Sequence, residues 1–310
     1  MFVVAYRKIF YTFSILLIGL SVFALSTWGL NLGIDFKGGS IIEISYISAR
    51  PPQADVAALI GMAGVKDAQV RASGSNSYII RTRTLTEAEH EQVAGLLMGT
   101  ATTTSGSITA QTTSPQAEIK HFDTVGPILG QELQSKALWS IIFVIIAIVL
   151  FITFAFRKVS KPVASWKYGL VAIVALLHDV IVPVGVFALL GHVVGYEVDA
   201  LFVTAILVVL GFSVHDTIVV FDRTRENLTL ASNAKKPFDQ IVGESVSQTF
   251  ARSINTSLTT ILALIALYFF GPESTRMFSL ALIVGIAAGT YSSIFIGSPL
   301  LVTLQKFQKR

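Results

Sequence analysis

Two aspartates stand where apolar side chains are expected. Asp179 lies inside the stretch Tyr168–Leu190 and Asp216 inside Ala200–Phe221, and both stretches are long and apolar enough to cross a bilayer. A charged side chain at the centre of a membrane helix costs about 2.5–3.5 kcal/mol on insertion scales, so such a residue needs either a structural partner or a task. Reversible protonation is the task that suits it. Dry surroundings favour a neutral carboxyl, whereas water or a nearby cation favours the charged form. The plainer reading of the same residues is an interhelical hydrogen bond that fixes packing. Ser213, Asp216 and Arg223 share one helical face, at offsets of three and seven, and His215 points to another.

Pro183 follows Asp179 by one helical turn. Proline donates no backbone hydrogen bond, so the Asp179 carbonyl loses its helical partner and an ionisable side chain sits beside a free carbonyl. A packed kink is the alternative. His178 points elsewhere and reads as a packing residue. Arg252 opens a further apolar stretch, with Asn255, Thr256 and Thr259 on its face and Thr260 beside it. That polar stripe suits a hydrated path or a carboxylate partner, and Arg252 is placed to bridge to Asp216 or to snorkel toward the interface. The candidate proton path is therefore Asp216, Arg252, Asp179 and His215, lined by Ser213, Asn255, Thr256 and Thr259. Ala281, Gly285, Gly289, Ser293 and Gly297 recur every four residues, a packing signal for a close helix–helix seam, either inside the bundle or with a partner.

The elements that must position these residues follow from composition. Of 310 residues, 53% are apolar and 14% charged, and the mean hydropathy is +0.68. A soluble domain carries about a quarter charged residues. Six stretches read as spans: Ile9–Leu30, Leu138–Phe156, Tyr168–Leu190, Ala200–Phe221, Ser253–Phe270 and Phe278–Leu304. The first has Arg7 and Lys8 before it, as a signal peptide would. Its apolar run exceeds the usual signal core and no small-residue cleavage site follows, so it reads as a retained helix. Arg157, Lys158, Lys161 and Lys167 lie between spans two and three. Arg223, Arg225, Lys235, Lys236 and Arg252 lie between four and five, and Lys306, Lys309 and Arg310 end the chain. The loops on the other side hold only Arg276 with Glu197, Asp199 and Glu273. This bias predicts cytoplasmic N- and C-termini and an outward-facing segment between spans one and two. The formal charge of +4 is spread beside the spans, which speaks against nucleic acid.

The chain thus divides into 1–31 (tail and first span), 32–136 (outward domain) and 137–310 (five spans). Within the outward domain, Ser40–Ile47, Asp67–Ala72, Tyr78–Arg83 and Ile119–Val125 read as strands, and Ala54–Met62 and Glu87–Met98 as helices. Thr84-x-x-Glu87 and Thr86-x-x-Glu89 are both possible capping boxes. The order βαββαβ predicts a small α+β ferredoxin-like domain. The Thr/Ser/Gly-rich stretch Gly99–Ser114 reads as a mobile loop. Asp222 with Arg225, and Arg223 with Glu226, form i,i+3 pairs at a solvated helix end.

Several chemistries are set aside. With no cysteine, disulfides and thiol catalysis are excluded. No phosphate-binding GxxxxGK[ST] loop is present. No His/Asp/Glu cluster has metal-ligand spacing, so no metal and no cofactor are expected. Gly211-Phe212-Ser213 resembles part of an intramembrane serine-protease motif, but His215 cannot reach Ser213 on the same helix. The chain is not expected to be an enzyme.

Three stretches resemble one family. Gly33-Ile34-Asp35-Phe36-Lys37-Gly38-Gly39 is similar to a GIDFxGG motif. The run from His215 through Asp222-Arg223 to Asn227 resembles HDTIVVFDRxREN, and Arg252–Thr260 resembles RSINTSLTT. These are motifs of the SecD/SecF family of bacterial protein-export subunits, within the resistance-nodulation-division superfamily, and the second and third point to its SecF side. The resemblance implies a bacterial inner-membrane protein that pairs with SecD, associates with the SecYEG channel and acts on unfolded preprotein, coupled to protons and embedded in membrane lipid. It implies proton-path roles for Asp216 and Arg252, and a coupling role at the outer mouth for Asp35 with Gly38 and Gly39. For Asp35 a Gly-flanked turn with an Asp–Lys pair is the alternative. Two other readings stay open: a proton-driven exporter of small molecules or lipids, and a non-transporting membrane scaffold.

Overall fold

The alternation of apolar and polar side chains along Gly39–Tyr46 and the helical periodicity of the long apolar runs give two kinds of core. The computed structural model describes residues 2–47, 50–66, 68–99, 101–104, 107–110, 117–157, 164–230 and 236–308. Asp67, residues 111–114, and the loop and terminal cations Lys158, Lys161, Lys235, Lys309 and Arg310 lie outside the described residues. In chain order the elements are α1 (Phe2–Ala5), α2 (Arg7–Trp28), α3 (Ile34–Lys37), β1 (Gly39–Tyr46), α4 (Gln53–Met62), β2 (Gln69–Ser73), β3 (Ser77–Thr82), α5 (Glu87–Met98), β4 (Ala101–Thr104), β5 (Ser107–Ala110), β6 (Ala117–Val125), α6 (Pro127–Ala155), α7 (Ser165–Val193), α8 (Ala200–Thr229), α9 (Phe238–Phe270), α10 (Glu273–Ser292) and α11 (Ser298–Gln308). A π turn, Ser293–Gly297, joins the last two helices. Two units separate by packing, residues 32–136 and residues 1–31 with 137–310.

In the unit 32–136, four antiparallel strands pair in the order β2-β3-β1-β6, with α4 and α5 in the connections. This is the ferredoxin-like βαββαβ arrangement expected from the sequence. Ile42, Ile44, Ile80, Val56, Ile60 and Val93 are fully buried between sheet and helices, each worth about 1.5–3 kcal/mol of transfer free energy. The Gly99–Ser114 stretch is not a plain loop. Its described part contains a second, two-stranded sheet of β4 and β5, paired Ala101 to Ala110. Its threonines carry strand propensity that a low-complexity reading overlooks. Gly38 and Gly39, with φ of 79° and 142°, turn the chain from α3 into β1. A Cβ at Gly38 would lie 2.9 Å from Pro127 Cα, and one at Gly39 would lie 2.8 Å from the Thr82 carbonyl oxygen. Backbone packed this closely admits only glycine.

Among the described residues, six helices are long and apolar enough to cross a membrane: Arg7–Trp28, Pro127–Ala155, Trp166–Val193, Ala200–Thr229, Phe238–Phe270 and Ser274–Lys306. Burial is uneven. More than half of the third and sixth spans and half of the fourth are enclosed, against 17%, 6% and 11% for the first, second and fifth. The bundle is therefore built on α7, α8 and α10–α11, with α2, α6 and α9 around them. Several helices outrun their apolar stretches: α9 begins at Phe238 rather than Ser253, and α6 at Pro127 rather than Leu138. Hydropathy marks where a helix is apolar, not where its hydrogen bonding stops. The polar extension of α8 is locked to that of α9, since Asn227 Nδ2 donates to Ser245 Oγ at 2.8 Å and Arg223 Nε to Gln248 Oε1 at 2.6 Å. Both expected ion pairs form, Arg225–Asp222 at 2.7 Å and Arg223–Glu226 at 2.6 Å.

Of the two possible capping boxes, the structure uses Thr86 and Glu89. Hydrogen bonds from Arg83 and then from the Thr86 backbone and hydroxyl hold the Glu89 carboxyl down to about 2 from its ordinary 4.5. A carboxylate with a lowered value contributes stability that is present above about pH 4.5 and is lost as pH falls toward about 2. We expect a carbon-13 titration of the Glu89 carboxyl to show its midpoint near 2, and Arg83→Gln to move it toward 4.5. A wild-type midpoint at the ordinary value contradicts this account of the cap.

Candidate functional site

The small-residue repeat on α10 decides how closely it meets α8. A Cβ on Gly285 would collide with the Val209 side chain, and one on Gly289 would lie 2.9 Å from Ser213 Cβ. The seam lies inside the bundle. Because the backbones approach this closely, short serine hydroxyls can reach across from helix to helix.

They converge on the two aspartates. Asp179, on α7, is fully buried, and Asp216, on α8, is 6% exposed. Asp179 Oδ2 accepts hydrogen bonds from Ser213 Oγ on α8 and from Ser292 Oγ at 2.8 Å. Its other oxygen, Oδ1, lies 2.9 Å from His178 Nδ1. Asp216 Oδ1 accepts from Ser253 Oγ of α9 at 2.6 Å, and Oδ2 from Ser293 Oγ at 3.0 Å. The two carboxyls are thus held by positions one turn apart on α8 and by adjacent serines where α10 passes into the π turn. A further bond, Ser257 Oγ to Thr290 Oγ1 at 2.6 Å, ties α9 to α10 one turn away. Hydroxyl dipoles from neighbouring helices stand in for water at both carboxyl groups, and at Asp179 the His178 ring joins them.

This arrangement differs from the sequence reading at three points. Arg252 does not bridge to Asp216; it lies on the exposed face of α9 with Asn255, Thr256 and Thr259. The next residue, Ser253, is rotated by one helical step into the bundle and takes the place beside Asp216. His215 is exposed on the outer face of α8 and does not join the cluster. His178 does not point away, because its ring turns back onto the carboxyl of its own neighbour. Ser213, Gly285, Gly289 and Ser293 lie at the centre. Ser253 and Ser292, which bond to the aspartates, and Ser257, which ties α9 to α10, are positions that sequence reasoning missed. Their signal was present as the hydroxyl repeat Thr249-Ser253-Ser257 on α9 and as the Ser292-Ser293 pair, but serine is too common in membrane helices to stand out unaided. Asp35, in the first turn of α3, belongs to the unit 32–136, in which Gly38 packs on Pro127 and Gly130 on Phe36. No group of three or more acidic, histidine or cysteine side chains suited to a metal occurs among the described residues.

Comparison with known proteins gives consistent matches. The chain matches the family described as Protein export membrane protein SecD/SecF, C-terminal, over residues 104–307, and the SecD/SecF GG Motif over residues 23–46. It is 42% identical over 302 residues to the Protein translocase subunit SecF of Thermobaculum terrenum, covering 97% of this chain and 93% of the relative. It is 37% identical over 298 residues to the Protein translocase subunit SecF of Anaerolinea thermophila, covering 96% and 91%. Among solved structures it is similar to SecDF, described as a translocon-associated membrane protein, from Thermus thermophilus, with a TM-score of 0.76 and 28% identity over 99% of this chain. The chain spans 38% of the length of that SecDF chain.

The close seam makes a direct prediction. Gly289→Leu inserts a side chain against Ser213 and is expected to destabilise the detergent-solubilised protein by about 1–3 kcal/mol, the usual cost of overpacking. Gly19→Leu, on the outer side of α2 with nothing within 4 Å, is expected to change stability by less than about 0.5 kcal/mol. Thermal unfolding followed by intrinsic fluorescence checks both.

Proposed function

The chain belongs to the SecD/SecF family of protein export membrane proteins, as a SecF-type subunit, and on that premise we propose how its geometry serves protein export. It is a multi-pass protein of the bacterial inner membrane and an auxiliary subunit of the Sec protein translocase rather than an enzyme. Together with SecD it draws on the proton motive force to promote late steps of preprotein export. The observation that carries this reading is the pair of buried aspartates, Asp216 held by serine hydroxyls and Asp179 by serine hydroxyls and the neighbouring His178. A scaffold gains nothing from burying two carboxyls at about 2.5–3.5 kcal/mol each. A proton carrier requires them, and each charge that crosses 100 mV releases about 2.3 kcal/mol.

Asp216 is the primary carrier. Ionised, it accepts from Ser253 and Ser293; protonated, it becomes a donor, and one of those two acceptor bonds must rearrange. The change is felt by α9 and α10 together. Both termini lie in the cytoplasm, the unit 32–136 lies outside, and the basic loops set that orientation. The exposed polar stripe of α9, with Arg252, Asn255, Thr256 and Thr259, is where SecD completes the path, because these groups otherwise face hydrocarbon. Asp35, Gly38 and Gly39 form the coupling turn. With Gly38 against Pro127, a shift of α6 displaces α3 and the start of β1. The SecYEG channel and an unfolded preprotein are the further partners.

Asp216→Asn tests the reading. Asparagine keeps the size and most hydrogen bonding but cannot ionise. Export in cells lacking the native protein is expected to collapse while the variant accumulates in the membrane and still co-purifies with SecD. Normal export by Asp216→Asn overturns the proton role.

A further inference from the structure

His178 is a buried titratable side chain, in contact with Asp179, that this proposal leaves without a task. It is 1% exposed, and its Nε2 atom is buried with no hydrogen-bond partner among the described residues. Its ring lies 5.9 Å from that of Tyr291 on α10, tilted by 32°. The Tyr291 hydroxyl is itself engaged with Ser14 Oγ at 3.1 Å and donates to the Phe10 carbonyl at 3.0 Å. A polar ring atom with no partner in a dry interior is costly unless it exchanges something.

The hydrogen bonds around Asp179 fix what that is. Oδ2 already accepts from two serine hydroxyls, which occupies both of its lone pairs. Any proton shared within the pair must therefore lie on the axis between Oδ1 and His178 Nδ1, 2.9 Å apart. With one proton on the pair, that axis holds it and Nε2 is a bare acceptor. With two, the axis still holds one and Nε2 carries the other, whichever end of the axis the first proton favours. The change from one state to the other is the addition of one hydrogen at Nε2.

We propose that His178 and Asp179 form a second proton-binding site in the membrane bundle, and that His178 Nε2 is the atom at which the proton enters and leaves. The site deepens the preceding reading, on which its role in export rests, while its chemistry stands apart from Asp216. The other titratable groups that face it are few. On α10 there is Tyr291, and on α8 Asp216, whose partner Ser293 is adjacent to the Asp179 partner Ser292. On α2 between Ile9 and Trp28 there is only Tyr11, whose hydroxyl bonds to Thr303 on α11. No described cation lies within ion-pair distance of Asp179 apart from the histidine itself. Ser213 stands one turn before Asp216 on α8. The two sites therefore have separate partners that are neighbours in the chain, Ser292 for Asp179 and Ser293 for Asp216, so a proton bound at one is felt through the same π turn that supports the other.

The chain holds five histidines, so nitrogen-15 histidine labelling of the full-length protein in bilayers resolves the site directly. The nitrogen-15 signal of His178 Nε2 is expected to change from that of a bare to that of a protonated nitrogen when the medium is acidified. His178→Asn keeps an amide donor toward Asp179 but cannot titrate. It is expected to cut gradient-driven export about tenfold at an unchanged membrane level. Nε2 that stays bare on acidification, or wild-type export by His178→Asn, overturns the proposal. Loss of the role assigned to Asp216 shows separately, as normal export by Asp216→Asn with the His178 titration intact.

Discussion

Two carboxyl groups must be kept in a bundle that is otherwise apolar, and much of the rest of the structure follows from how that is done. A charge in this position needs donors, and the donors here are serine hydroxyls, which reach only a short distance. Helices that share such bonds have to approach closely, which is why glycine occupies the α10 positions facing Val209 and Ser213. Small residues and buried acids are thus two sides of one requirement. Leucine on the seam would separate the helices and leave the carboxylates unsolvated.

The same requirement makes the bundle responsive. Interhelical hydroxyl bonds in membranes average only about 0.6 kcal/mol each, so none of them locks the structure. A carboxyl that gains a proton changes from acceptor to donor and reorders several of them at once. The sensitive point is the junction of α10 and α11, where Ser292 and Ser293 serve different aspartates. The junction is a π turn, with Ser298 Oγ donating to the Ser293 carbonyl at 3.1 Å. Such turns occur where a helix departs from regular pitch for a functional reason. On the proposed function, the central helices α7, α8 and α10 form the responsive core.

Much of this was legible in the sequence. Six spans, the strand order of the small α+β unit and the glycine seam follow from hydropathy, period-two alternation and four-residue spacing. Asp179 and Asp216 were visible because a carboxyl in an apolar run is conspicuous. Their partners were not. Ser253 and Ser292 are inconspicuous by type, and the bridge expected from Arg252 to Asp216 assumed that charge seeks charge. The single-step rotation from Arg252 to Ser253 places a hydroxyl there instead. The ring orientation of His178 was also beyond reach, since neighbours in a helix ordinarily point apart and only the χ angles of both residues bring them together. The β4–β5 hairpin was hidden by composition.

The central claim is that the protonation state of Asp216 sets the arrangement of α9 against α10. The chain has no cysteine, so spin labels placed at Leu262→Cys on α9 and Ala287→Cys on α10, both on exposed faces, report that arrangement without interference. Measured by pulsed electron paramagnetic resonance in bilayers containing the complete complex, the distance distribution is predicted to shift on acidification. In Asp216→Asn it is predicted to remain at its acid-state value at every pH. An equal pH-dependent shift in Asp216→Asn, or no shift in the native background, contradicts the account.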